Sequence, residues 1–291
     1  MVFISLLSSH LCDRIQTIMF PFRTSSKPET PQSVLQTEVA SRLMERLDGL
    51  KLQPATILDL GCGEGRQAAG LKQRYPEAQV VAVDHSMSRL DQSRAQRGRW
   101  RKSFDLLCAD ANRLSLAEAS VDLLFSSLML PFCTDLQAVL NGFRRVLKPG
   151  GFALFSTLGP DSLTALRAGL SEHDQARYPQ VLTDVQTVGN LLMRTGFTEP
   201  VLDTDWLDLN YRNTSDLLKE LRVLDPTIDF EVSRDVLRQF KRQQQGPTHA
   251  HARWEVIYAS AWAPEDGTPM RDDSGGEVAS ISIDQIGRRQ R

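Results

Sequence analysis

The 291-residue chain is poor in cysteine, and none of its four, Cys12, Cys62, Cys108 and Cys133, stands in a C-x-x-C pair. That spacing offers neither a zinc site nor a disulfide framework, and it suits a reducing cytoplasm. Charge is almost balanced, with a formal net of −2, so no strong field favours nucleic acid. The apolar opening M-V-F-I-S-L-L lacks a basic lead and is soon broken by His10, Asp13 and Arg14, which argues against a signal peptide or a membrane span. The expectation is a globular, cytoplasmic protein with no metal and no nucleic-acid or membrane partner. Two nucleotide motifs are missing as well. G-x-G-x-x-G counted from Gly61 would require glycine where Arg66 stands, and no Lys-Ser or Lys-Thr follows the glycines as a P-loop requires.

What is present is a strand-to-helix turn of another kind. Residues 56 to 66 read T-I-L-D-L-G-C-G-E-G-R, an apolar, β-branched run that breaks into Gly61, Gly63 and Gly65. Such a run reads as a buried parallel strand. The glycines let the backbone turn sharply and approach a ligand that any β-carbon would push away, and the helix start beyond them offers unpaired N–H groups. Three glycines in five residues forfeit regular-structure stability, which weighs against a tight turn with no ligand. D-L-G-C-G-E-G resembles the first motif of the class I S-adenosylmethionine-dependent methyltransferases. The resemblance implies S-adenosylmethionine as cofactor, with Asp59 ending the strand and Gly61, Cys62, Gly63 and Gly65 around the cofactor's amino-acid part.

Further along, strand and helix patterns alternate. A crossover helix is expected at 66 to 74 and a second strand at 79 to 83, ending in Asp84 and followed by His85. About twenty positions past the glycines, a carboxylate can accept both hydroxyls of a cofactor ribose. The competing role for Asp84, an N-cap for a helix starting near Met87, can be filled by Ser86. Strands at 104 to 109, 121 to 126 and 152 to 157, with a helix at 136 to 147 closed by K-P-G-G, complete five alternations. The pattern predicts an α/β, doubly wound, Rossmann-like sheet with its ligands at the carboxyl ends of the strands. In the methyltransferases it resembles, the pair after the third strand brackets the adenine, a role that falls to Asp110 and Ala111. The segment after the fourth strand lies beside the reactive methyl, which points to Ser126, Ser127 and Leu128. Cys62 and Cys108 read as small buried space-fillers rather than nucleophiles.

Around this centre, an amphipathic helix is expected at 34 to 50, a helix at 184 to 195, a strand at 200 to 210 and a last, antiparallel strand at 254 to 262. Helical patterns at 215 to 224 and 231 to 244 fall between those two strands. The expected organisation is a poorly defined segment at 1–33, a methyltransferase domain at 34–262 and a disordered tail at 263–291. Helical lid insertions are expected at about 159–183 and about 211–250.

Four blocks outside the cofactor motifs narrow the family. They are L-Q-T-E-V-A-S-R-L-M-E-R-L-D at 35 to 48, G-F-R-R-V-L-K-P-G-G at 142 to 151, F-S-T-L-G-P-D-S-L-T-A-L-R at 155 to 167 and W-E-V-I-Y-A-S-A-W-A-P at 254 to 264. Together they resemble the malonyl-carrier-protein O-methyltransferases of biotin synthesis, and the resemblance implies methylation of the free carboxylate of a malonyl thioester. A carboxylate is already ionised at neutral pH, so no general base is needed, and a bidentate arginine suits the holding of its second oxygen. Arg222 and, second to it, Arg167 are the candidates. An acidic carrier protein calls for a basic docking surface. Of three clusters, Arg97 to Lys102, Arg144 to Lys148, and Arg234, Arg238, Lys241 and Arg242, the last is preferred because it lies in the lid insertion. The sequence departs from the family before residue 34, at 126 to 132, around Leu224-Asp225-Pro226 and at Arg177-Tyr178-Pro179. Two further readings therefore stay open: a methyltransferase for another small or lipid-like acceptor, and a non-catalytic S-adenosylmethionine-binding assembly partner.

Overall fold

The computed structural model describes residues 33–97, 103–164, 182–224 and 250–265, with the backbone of 270–271 and 277–278. All of them belong to one compact unit beginning at Gln32. The N-terminal segment to residue 32, the parts of the expected lid insertions at 165–181 and 225–249 with the helix expected at 231 to 244, and most of the tail lie outside the described residues.

Helix α1, Val34–Glu45, starts where the Ser33 hydroxyl accepts the Gln36 N–H at 2.9 Å. Leu35, Val39, Ala40 and Leu43 recur at helical spacing and form its buried stripe. The same spacing continues to Leu47, yet the helix ends at Glu45 rather than near residue 50. Leu47, Asp48 and Leu50 donate to carbonyls three residues back, those of Met44, Glu45 and Leu47. The chain thus tightens into turns while still burying Leu47.

There follow β1 (Thr56–Leu60), α2 (Arg66–Arg74), β2 (Gln79–Asp84), α3 (Met87–Ser93), β3 (Asp105–Cys108), β4 (Val121–Ser127), α4 (Leu136–Val146) and β5 (Leu147–Leu158). After these come α5 (Val185–Arg194), β6 (Thr198–Tyr211), α6 (Thr214–Leu224) and β7 (Ala250–Trp262). The seven strands hydrogen-bond in the order β3-β2-β1-β4-β5-β7-β6. Only β7 runs against the rest, pairing antiparallel with both β5 and β6. One face of this sheet is covered by Leu43, Leu71, Leu90, Leu217 and Leu221, from α1, α2, α3 and α6. The other is covered by Val139, Leu140, Phe143, Val188 and Leu192, from α4 and α5. The fold is therefore a doubly wound α/β sheet, mostly parallel, with an antiparallel strand inserted next to its edge.

K-P-G-G, expected to be a turn before the fifth strand, lies within β5. There the register with β4 jumps from Val121↔Leu147 to Leu123↔Phe152, and residues 148 to 151 bulge out of the ladder. In the tail, where disorder is expected, β8 (Met270–Arg271) pairs antiparallel with β9 (Glu277–Val278). Among the described residues, no helix is long and apolar enough to cross a membrane.

The direction of strand order reverses between β1 and β4, and crevices for ligands form at such switch points, beyond the carboxyl ends of the strands. The turn that leaves β1 there is the glycine turn.

Candidate active site

Gly61, Gly63 and Gly65 all have left-handed backbones, with φ of 75°, 53° and 78°. The turn is hooked to β2, because the N–H groups of Gly61 and Cys62 both donate to the Val83 carbonyl, at 2.8 and 2.9 Å. The three glycines face different surroundings. A β-carbon on Gly61 would lie 2.5 Å from the Met129 side chain, and one on Gly65 would lie 3.0 Å from Phe104 and Ser93. Protein packing alone demands those two. At Gly63 the nearest atom would be Arg89 Nη1 at 3.9 Å, so this is the glycine that leaves room for a ligand.

Two buried carboxylates flank the turn. Asp59 Oδ2 is buried without a hydrogen-bond partner. Burial, opposed by a backbone N–H at Ala68 and reinforced by the charge of Asp84, pushes the Asp59 carboxyl up to about 7. Asp84 is also buried. Its Oδ2 accepts the Gly63 N–H at 3.0 Å and its Oδ1 the Ser86 N–H at 2.9 Å. The cap of α3 is Ser86, whose hydroxyl accepts from Arg89 N. Each oxygen of Asp84 keeps a second acceptor direction.

His85 and Asp110 complete this end of the sheet. His85 is exposed, with Nδ1 3.5 Å from Asp84 Oδ1. Asp110 is exposed too, and its Oδ1 accepts the backbone and side-chain N–H groups of Asn112 at 2.9 and 2.8 Å. Those bonds, with the nearby His85 and Arg113, hold its carboxyl below the ordinary range. It caps a single 3₁₀ turn that opens at Ala111. Cys108, expected to be buried, is exposed on the edge strand β3, with Sγ 3.5 Å from the His85 carbonyl. Cys62 and Cys133 are buried; burial raises both thiols, Cys133 to about 12.

After β4 the structure separates residues that sequence places together. Ser126 is fully buried and donates to the Leu60 carbonyl at 2.8 Å, so its hydroxyl ties β4 to β1. Leu128 has a left-handed φ of 52°, rare and costly for a branched side chain. The conformation is held by Ser156, whose carbonyl and hydroxyl accept the Leu128 N–H at 3.2 and 3.1 Å. Met129, which sequence reasoning did not single out, follows this kink and lies against Gly61.

Helix α6, which carries the candidate Arg222, buries Leu217, Leu221 and Leu224. Arg222 is exposed in its last turn, without an ion pair among the described residues. That turn is held by Arg89, whose Nη2 donates to the carbonyls of Val223 at 3.1 Å and Leu224 at 3.2 Å. Arg89 also escaped sequence reasoning; the signal was its place five residues after Asp84. Two family blocks meet in space: Glu255, from W-E-V-I-Y, accepts the Asp161 N–H of G-P-D-S-L at 2.8 Å. Arg167, Arg99, Arg101, Lys102 and the cluster of Arg234, Arg238, Lys241 and Arg242 lie outside the described residues. In the middle basic cluster, Arg145 donates to the carbonyls of Leu114 and Leu116, and Lys148 pairs with Asp122 at 2.8 Å. Among the described residues no group of His, Cys, Asp and Glu could hold a metal ion.

Residues 58–155 match the methyltransferase domain family. The malonyl-acyl-carrier protein O-methyltransferase of Xylella fastidiosa is 37% identical over 270 residues, covering 89% of this chain and 91% of that protein. The protein of the same name from Methylovorus is 35% identical over 254 residues, covering 82% and 86%. Among solved structures, the YcgJ protein of Bacillus subtilis shares the fold with a TM-score of 0.58 at 13% identity, covering 77% of this chain and 99% of that one. Haemonchus contortus phosphoethanolamine N-methyltransferase 2, solved with S-adenosyl-L-methionine, has a TM-score of 0.52 at 20% identity, covering 78% and 52%. With its sheet order, its glycine turn and relatives this similar along nearly their whole length, the chain belongs to the malonyl-acyl-carrier protein O-methyltransferase family.

Proposed function

We propose that this chain transfers the methyl group of S-adenosylmethionine to the free carboxylate of malonyl-acyl-carrier protein, or of malonyl-coenzyme A, giving the methyl ester. Such an ester serves biotin synthesis as a primer that fatty-acid synthesis accepts. The observation that carries the reading is the partnerless buried oxygen of Asp59, on the strand that runs into the glycine turn. A buried acceptor with no donor is costly unless a ligand supplies one, and the amino-acid end of S-adenosylmethionine carries an ammonium.

The residues present fit that cofactor. Asp59 would hold the ammonium, and the spare acceptor directions of Asp84 would take the ribose hydroxyls. His85, Asp110 and Ala111 would border the adenine, with Cys62 and Leu128 lining the turn between. When bound, the cofactor supplies an electrophilic methyl on a sulfonium. The chain's own part is positioning. An acceptor carboxylate needs no base, because it is ionised at neutral pH. Arg222, exposed on α6 and without an ion pair among the described residues, holds the oxygen that does not react. Buried Leu128 and Leu130 keep water from the strand ends. For docking toward an acidic carrier protein, Arg234, Arg238, Lys241 and Arg242 are preferred for their place in the expected lid insertion; in the middle cluster Arg145 and Lys148 already donate within the chain.

Labelled methyl is expected to pass to malonyl-carrier protein and malonyl-coenzyme A and not to acetyl-carrier protein. Transfer to the acetyl form as well, or cofactor binding with no transfer to either malonyl substrate, overturns the proposal.

A further inference from the structure

We infer that Arg89 is a positioning residue through which cofactor at the glycine turn organises the last turn of α6, and with it Arg222. The inference rests on the functional reading above for the identity of cofactor and acceptor.

Helix α3, which carries Arg89, is fastened to the cofactor site at both ends. At its start the Ser86 N–H donates to Asp84 Oδ1 at 2.9 Å. At its end the buried Ser93 hydroxyl donates to the Gly63 carbonyl at 2.6 Å. The helix therefore moves with the turn and with Asp84. From it the guanidinium of Arg89 reaches two places at once. Nη1 lies 3.9 Å from the point that a Gly63 β-carbon would occupy, over the one glycine of the turn that protein packing leaves open. Nη2 donates to the Val223 and Leu224 carbonyls, acceptors that a helix C-terminus leaves without intrahelical partners and that carry its partial negative charge.

Helix α6 has no other hydrogen bond to the β1–β3 half of the sheet among the described residues. Its buried leucines pack with α1, β6 and β7, and Glu220 bonds it to α1. Arg89 is the crossing point between the half that carries the cofactor motifs and the helix that carries Arg222. A ligand that fills the space over Gly63 restricts the guanidinium, and a restricted guanidinium fixes the carbonyls it holds. By linkage, an acceptor that needs an ordered Arg222 must then bind more tightly when the cofactor site is filled, and the reverse.

The test uses the full chain and S-adenosylhomocysteine, in hydrogen exchange across residues 214–224 and in titration with malonyl-coenzyme A. In the wild type, S-adenosylhomocysteine slows exchange in the last turn of α6; in Arg89→Met, which keeps the length and loses the donors, it does not, and Arg89→Lys recovers part of the effect. S-adenosylhomocysteine raises malonyl-coenzyme A affinity about 5- to 20-fold in the wild type and less than about 2-fold in Arg89→Met. Equal protection in wild type and Arg89→Met, or none in the wild type, overturns the inference and leaves Arg89 a simple helix cap. Because the exchange measurement needs no acceptor, protection that depends on Arg89 with no binding of malonyl-coenzyme A would keep the coupling and reject the acceptor.

Discussion

Glu220 and Ser33 are 187 positions apart in sequence, and the Ser33 hydroxyl donates to Glu220 Oε1 at 2.6 Å. The same buried carboxylate accepts the N–H groups of Val34 at 3.2 Å and Leu35 at 2.8 Å. The first orphan donors of α1 are thus satisfied by a charge carried on α6, which also suits the positive end of the α1 dipole.

Replacing Glu220 by alanine leaves these donors buried without an acceptor. The expected cost is roughly 2–4 kcal/mol, read as a fall of roughly 5–10 °C in the thermal midpoint. Glu220→Gln keeps one acceptor and loses less. A Glu220→Ala midpoint equal to wild type would contradict the role assigned to this carboxylate.

The second contact between distant blocks is steric. A β-carbon on Gly159 would overlap the Glu255 carboxyl group, and the Gly159 N–H donates to the Glu255 carbonyl at 2.9 Å. Gly159→Ala is expected to destabilise by about 1–3 kcal/mol in urea unfolding. Adding Glu255→Ala removes the overlap and recovers part of the loss. If the double variant were no better than the sum of the single ones, the overlap would not be the cause.

Asp59 predicts a pH dependence of the chain without ligand. Its folded carboxyl is raised from 3.8 to about 7, so the folded state holds a proton that the unfolded state releases. That contribution is fully present below the ordinary carboxylate range and is lost as pH rises toward about 7, by an amount on the order of a few kcal/mol. Asp59→Asn, which cannot titrate, flattens this slope. Cofactor affinity should run the other way, rising from about pH 6 to about pH 8 as the carboxylate forms to meet an ammonium, and losing that rise in the variant. Calorimetric titrations across that range decide it; a wild-type affinity flat in pH would sink the assignment.

Asp84→Asn has a single carbonyl oxygen to offer where two carboxylate oxygens now hold the Gly63 and Ser86 N–H groups. Affinity for S-adenosylhomocysteine should fall about 10- to 100-fold. Unchanged affinity would remove Asp84 from the cofactor site.

The parallel half of the fold was legible in the sequence because each of the first four strands is an apolar run with a chemically distinct residue at its carboxyl end or within two positions of it: Asp59, Asp84, Asp110 and the serines near 126. Local period carries that information. Several details are bonds between distant positions, which no period records. The Ser126 hydroxyl ends on Leu60, and Gly61 and Gly65 are required by Met129, Phe104 and Ser93. Arg89 looks like an ordinary helical arginine until α6 arrives from 134 positions away to meet it. Cys108 reads as core by type but sits exposed on a strand of four residues at the sheet's edge, with no strand beyond it among the described residues.

The central claim is that the methyl goes to a carboxylate oxygen, and the most direct measurement is its position in the product formed from malonyl-coenzyme A and isotope-labelled S-adenosylmethionine. Nuclear magnetic resonance distinguishes a methoxy carbon from a methyl on the central malonyl carbon. The account predicts the label wholly as a methoxy ester, with a rate that falls steeply in Arg222→Ala. Label on carbon, or a bound cofactor whose methyl never leaves, would contradict it.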